Sequence, residues 1–152
     1  MVMGNAFVIE KQWLTDAGLE AVCLMMTDFG HRNGYVGVPS GTTLDGVDYS
    51  NSALSDISVH GGLSFSGGDG KYPVEDDKWW FGFDCAHYGD KTNLYNGPDD
   101  IERTLEYVES ECESLAKQLS DKMVEINSWL EEEIQHLKDM ACEIMSEEEK
   151  GE

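Results

Sequence analysis

The stretch NGPDDIERTLEYV, residues 96–108, divides the chain into two kinds of sequence. Fifteen of the 16 glycines lie at or before Gly97, and Pro98 is the last of the three prolines. Between Asp99 and Lys150 neither residue recurs. Glycine and proline punctuate turns and are costly inside a helix, so the shift marks a passage from turn-rich structure to continuous helix. The expected division is a glycine-rich β domain over 1–97 and an acidic, amphipathic helical region over 98–150. Asp99 or Asp100 is placed to cap the first orphan amides, and acids in the first turn suit the positive end of the helix dipole.

Downstream of this boundary an apolar stripe runs through Ile101, Leu105, Val108, Cys112, Leu115, Leu119, Met123, Ile126, Leu130, Ile134, Leu137, Ala141 and Ile144. Its mean spacing is about 3.6 residues per turn, nearer a straight helix than the 3.5 of a supercoiled heptad. Unbroken, such a segment spans roughly 65 to 70 Å at 1.5 Å per residue, farther than a small β domain can cover. Either it folds back near Ser120-Asp121 or Asn127-Ser128, or it pairs between subunits. Ser128 with Glu131 fits a capping box and favours a break, whereas the missing glycine and proline oppose one. Pairing into a homo-oligomer is the preferred expectation.

Upstream, short apolar or alternating runs between glycine-rich turns read as strands at 6–10, 20–27, 35–38, 57–65 and 79–87, with Asn33-Gly34 as a hairpin-type turn. Residues 12–26 admit a helix, but Gly18 and the run after it favour strand. The polar run SGGDGKYPVEDD, 66–77, reads as an exposed loop. The fold expected is α+β: a small, mainly antiparallel β domain followed by a long C-terminal helix or helical hairpin.

Charge narrows the function classes. The net charge is −21, with −10 on residues 1–100 and −11 on the last 52. Such a field repels phosphate backbones and anionic membranes, so neither nucleic acid nor membrane is an expected partner. The sequence MVMGNAFVIEKQWL has no basic leader and no apolar run reaches the roughly 20 residues of a membrane helix, so a cytoplasmic protein is expected. Cys23, Cys85, Cys112 and Cys142 are scattered, which suits free thiols in a reducing compartment.

Alternation along WWFGFDCAH, 79–87, places Trp79, Phe81, Phe83, Cys85 and His87 on one face and Trp80, Gly82, Asp84 and Ala86 on the other. Read the same way, residues 57–65 put His60 opposite an apolar stripe. Were the two strands neighbours, His60 and Asp84 would share a polar face, where the carboxylate orients the imidazole. A structural hydrogen bond satisfies the same pattern. Gly61 and Gly62 beside His60 allow close ligand approach or a bulge. Trp79, Trp80, Tyr35 and Tyr88 are candidates to stack on a planar ring. An anion would be met by Arg32, Lys71, Lys78 or Lys91, since GGDGK fails the Walker pattern. His31, His60, Asp84, Cys85 and His87 could be drawn into a metal site, but no HxH or HExxH spacing occurs, and no metal or other cofactor is expected. Cys85 and His87, two apart on one strand face, stand too far apart for a nucleophile and its base.

Three ordered segments, HRNGYVGVP (31–39), VHGGLSFSG (59–67) and WWFGFDCAHYGD (79–90), together with IERTLEYVESECESLAKQLS (101–120), resemble a family of small phage-encoded proteins. Where that family often carries a Gly-His-Pro-Leu-Tyr-like segment after the proline, this chain reads GTTLDGVDYS. The resemblance implies a phage accessory protein in the host bacterial cytoplasm. In general character it is similar to anti-defence proteins that sequester nucleotide-derived immune signals. The function expected first is therefore non-catalytic binding of a small nucleotide-like ligand by His60, Gly61, Gly62, Trp80, Asp84, Arg32, Tyr35 and Trp79. A phosphoester-cleaving enzyme with His60 as base and Asp84 as orienter, and an acidic inhibitor of a basic host protein, stand as alternatives.

Overall fold

The computed structural model describes residues 6–151. The leader reading of MVMGN therefore lies outside the described residues. Strands β1 (Phe7–Leu14), β2 (Glu20–Met26), β3 (His31–Val38), β4 (Phe65–Gly67) and β5 (Trp79–Asp84) precede one helix, α1 (Leu105–Lys150). They form a single sheet in the order β1-β2-β3-β5-β4, with every neighbouring pair antiparallel. The architecture is α+β, as the glycine boundary implies.

Three local expectations fail for identifiable reasons. Asn33 and Gly34 lie inside β3, opposite Asp84 and Phe83, and do not form a turn. The β2–β3 turn closes instead at Gly30, whose φ of 73° suits glycine and whose amide donates to the Met26 carbonyl at 2.7 Å. Gly34 serves packing: a Cβ there would lie 2.4 Å from the Phe83 ring and 2.8 Å from the Cys112 sulfur. Residues 57–65 are not a strand up to Phe65, because Gly61 (φ 67°) and Gly62 (φ 84°) turn the chain and Gly62 N–H bonds the Val59 carbonyl. The helix starts after Thr104, whose hydroxyl accepts from the Tyr107 amide, rather than after Asp99 or Asp100.

α1 runs 46 residues without a break at Ser120 or Ser128. Its first turns bury Val108, Cys112, Leu115, Ala116 and Leu119 against Ala21, Cys23, Val36, Phe81 and Phe83 of the sheet. Burying Val108, Leu115 and Leu119 supplies much of the driving force for docking, at about 1.5 to 3 kcal/mol each. The compositional boundary at residue 97 is thus not a boundary in packing. Edge contacts fix the helix laterally: Trp13 Nε1 donates to Glu113 at 3.0 Å, and Lys11 pairs with Glu109 at 3.0 Å. Beyond Ile126, which still packs against the core, the stripe is bare, with Ile134, Leu137 and Ile144 more than half exposed and the neighbouring Trp129 likewise.

The opposite face of the sheet buries Val22, Leu24, Met26, Tyr35 and Trp80 beneath Phe65, Tyr72 and Val74. The cover comes from the segment expected to be an exposed loop. Ser66 and Gly67 belong to β4, Pro73 is buried, and Trp80 Nε1 donates to Asp76 at 2.9 Å, pinning the loop to the sheet. Among the described residues, no helix is long and apolar enough to cross a membrane.

Candidate functional site

The residues singled out from sequence fall into three places. Trp79, Phe81, Phe83 and Cys85 do share the helix-covered face, and Trp80 the other, so alternation along β5 holds. Trp80 is nonetheless core, with its ring sealed and its Nε1 spent on Asp76. Trp79 is half-buried and donates to the Val47 carbonyl at 2.9 Å. Neither tryptophan offers a ring for stacking. Gly62, turned away behind Gly61, has open space at its Cα.

Tyr35 and Asp84 line a cleft of about 600 Å³ at one end of the loop-covered face. Its apolar wall is made by three rings the β3–β5–β4 register brings together: Tyr35 from β3, Phe65 from β4 and Tyr72 from the loop. Each pair meets edge to face, with centroids 5.4 to 5.5 Å apart. Gly82 makes this possible, since a Cβ there would lie 2.4 Å from the Tyr35 ring. The Tyr35 hydroxyl bonds that of Tyr72 and accepts from Asn33 Nδ2 at 3.1 Å. Burial first, and then the neighbouring Tyr72, push the Tyr35 hydroxyl well above its ordinary value, so it keeps its proton and its place in this network.

The rim of the cleft is polar and acidic. Ser64 Oγ donates to Asp84 at 2.9 Å. Asp69 accepts from the Lys71 and Tyr72 amides, which hold its carboxyl below the usual range and fix the loop carrying Tyr72. Asp69 and Asp84 are the charged residues lining the cleft; the lysines and arginines lie elsewhere. Tyr72, Phe65 and Asn33 escaped the sequence reading. The Ser66–Asp77 segment looked like solvent-exposed loop, and nothing local showed that Tyr72 and Pro73 turn inward.

Arg32 does not reach this cleft. It pairs with Glu10 at 3.1 Å and Glu102 at 3.8 Å, donates to the Arg103 carbonyl, and lines a separate pocket of about 80 Å³ beside His31, Lys91 and Arg103.

The His60–Asp84 pair is not formed. His60 sits on the helix side, with Nε2 2.8 Å from Asp90 and Nδ1 2.7 Å from the Tyr107 hydroxyl. The cause is the Gly61-Gly62 turn, which removes His60 from any sheet face. Asp90 is 1% exposed and also accepts from Arg103 Nε at 2.8 Å and the His87 amide at 3.0 Å. Burial acts to raise its carboxyl, but the bonds from His60, Arg103 and the His87 amide outweigh it and hold the group below its ordinary value. His87 leans over the turn: a Cβ on Gly61 would lie 2.2 Å from its ring. Ligand-capable atoms of His60, His87 and Asp90 lie within 4.8 Å of one another. The chain distance between His60 and Asp90 concealed this grouping.

All four cysteines are free. Burial foremost pushes the Cys85 thiol up to about 12, which keeps it protonated and removes it as a nucleophile. Comparison of the chain with protein-family models, with curated proteins and with solved structures yields no match.

Proposed function

We propose that the protein binds a small ligand with a planar ring, without catalysis, in the Tyr35–Phe65–Tyr72 cleft. One observation carries this: three fixed rings line an open cleft of about 600 Å³ whose rim presents carboxylates and an amide. An aromatic wall takes the face or edge of a planar ring, and carboxylates accept from exocyclic amines or from a ribose hydroxyl. With Asp69 and Asp84 as its charged lining residues, the cleft suits the nucleoside part of a ligand, while phosphates would project into solvent. The motif resemblance suggests a phage accessory protein in the host cytoplasm, and an analogy of general character, separate from the motifs, suggests sequestration of a nucleotide-derived immune signal.

The enzymatic alternative loses its dyad, because both His60 ring nitrogens are engaged and Asp84 is bonded to Ser64. To test sequestration, the protein is purified from cells that produce such signals, denatured, and the released molecules are identified by mass spectrometry. Intact ligand supports sequestration; a cleaved or rearranged product contradicts it.

A second element concerns assembly. The exposed stripe Trp129, Ile134, Leu137 and Ile144 favours association through the distal half of α1 with another copy of the chain. Light scattering should give a multiple of the chain mass, and Ile134→Glu with Leu137→Glu should reduce it to one. A monomer before substitution contradicts the association.

A further inference from the structure

From the convergence of His60 Nε2, His87 Nδ1 and Asp90 Oδ2 we infer a binding site for a divalent transition-metal cation of the zinc class, separate from the aromatic cleft.

The argument begins with the protons. Glu111 as a carboxylate can only accept, so the Tyr107 hydroxyl, 3.1 Å away, donates to it. Tyr107 is then the acceptor for His60, whose Nδ1 carries the hydrogen across 2.7 Å. That chain directs protons away from the opposite nitrogen. His60 Nε2 and Asp90 Oδ2 face each other at 2.8 Å, a gap bridged by a proton when no ion is bound and by a metal ion in that proton's place.

The third group discriminates. His87 Nδ1 points toward the same gap, 3.7 Å from Asp90 Oδ2 and 3.6 Å from Asp84 Oδ1, beyond hydrogen-bond reach of either. Backbone bonds to Asp90 and edge contact with the His60 ring, centroids 5.7 Å apart, carry His87 there; a proton between His60 and Asp90 leaves its Nδ1 without a protein hydrogen-bond partner, and a metal gives it one. Gly61 also makes sense on this reading, since only a residue without Cβ admits the His87 ring at that spot.

The surroundings are those of a supported centre. Metal-bound histidines ordinarily give their other ring N–H to an oxygen that fixes tautomer and orientation, as Tyr107 does for His60. Arg103 occupies one Asp90 oxygen, and the other, which also accepts the His87 amide, keeps a lone pair to ligate. Asp84 is committed to Ser64 and the Ala86 amide and would not ligate the ion. Two imidazoles and one carboxylate suit zinc and its late first-row neighbours better than magnesium or calcium, which favour oxygen ligands. His87 is 39% exposed at its side chain and borders a cleft of about 350 Å³, so the fourth position opens to water.

The test uses the full chain carrying Cys142→Ser, which removes the exposed thiol as a competing ligand. Cobalt(II) is titrated and followed by visible absorption, then displaced with zinc. The expected result is saturation at one ion per chain with nitrogen–oxygen ligand-field bands and no thiolate charge-transfer band. His87→Ala should weaken binding by at least about a hundredfold, and Tyr107→Phe, which touches no metal, by about tenfold to a hundredfold. Circular dichroism confirms that each variant is folded; if His87→Ala is not, Tyr107→Phe carries the test. Absence of saturable binding, a thiolate band, or unchanged affinity in the folded variants overturns the proposal. None of these residues lines the aromatic cleft, so failure here leaves the ligand reading untouched.

Discussion

The two faces of the sheet are built from the same strands and closed in different ways. One is sealed by the first turns of α1, whose Val108, Cys112, Leu115 and Leu119 leave no accessible surface. The other is closed by a loop, and its cover stops short of the end where Asn33 and Asp84 emerge beside the buried Tyr35. A helix lays a continuous stripe on a sheet, whereas a loop offers only a few inward side chains, here Tyr72, Pro73 and Val74. Stability therefore belongs mainly to the helix face, and the proposed recognition to the unfinished edge of the loop face.

That contrast can be broken by substitution. Leu115→Ala, at the centre of the helix face, should cost about 2 to 5 kcal/mol in urea denaturation while leaving any remaining folded protein able to bind. Gly82→Ala places a methyl group against the Tyr35 ring from within β5. It should cost about 1 to 3 kcal/mol through overpacking and weaken ligand retention, because the aromatic wall must shift. A large effect of Gly82→Ala on stability with none on binding would argue against the location of the cleft.

Acid sharpens the comparison on the helix side. The Asp90 carboxyl is lowered in the folded state, so its contribution is present above the ordinary carboxylate value of about 3.9 and is lost as pH falls through the lowered one. Stability followed by circular dichroism should drop across that window, and Asp90→Asn should flatten the drop. Tyr72→Ala, in the loop, should have the smallest effect on stability, about 1 kcal/mol, yet reduce ligand retention more than tenfold. Equal loss of stability in Tyr72→Ala and Leu115→Ala would erase the distinction between the faces.

How much of this was legible varied with the range over which the deciding interaction acts. Alternation along 79–85 sorted Trp79, Phe81, Phe83 and Cys85 from Trp80 and Asp84 correctly, because a strand's period is a local property. The 3.6-residue stripe announced a helix, but an identical stripe is buried at Leu115 and bare at Leu137, so periodicity reports amphipathicity and not the partner. The possible break at Ser128 did not form, since a capping residue interrupts a helix only where the chain has reason to turn, and the segment has no glycine or proline there. His60 and Asp84 were separated by the Gly61-Gly62 turn. Asp90 and Tyr107, which His60 actually meets, lie 30 and 47 residues away, beyond any spacing rule.

The claim that recognition resides on the loop face is tested most directly by aromatic carbon NMR of the protein, with and without the small molecule it is proposed to retain from cells. The account predicts that resonances of Tyr35, Phe65 and Tyr72 shift on binding while those of Phe81 and Tyr107 on the helix face stay in place. Shifts confined to Phe81 and Tyr107, with the three cleft rings unchanged, would contradict it.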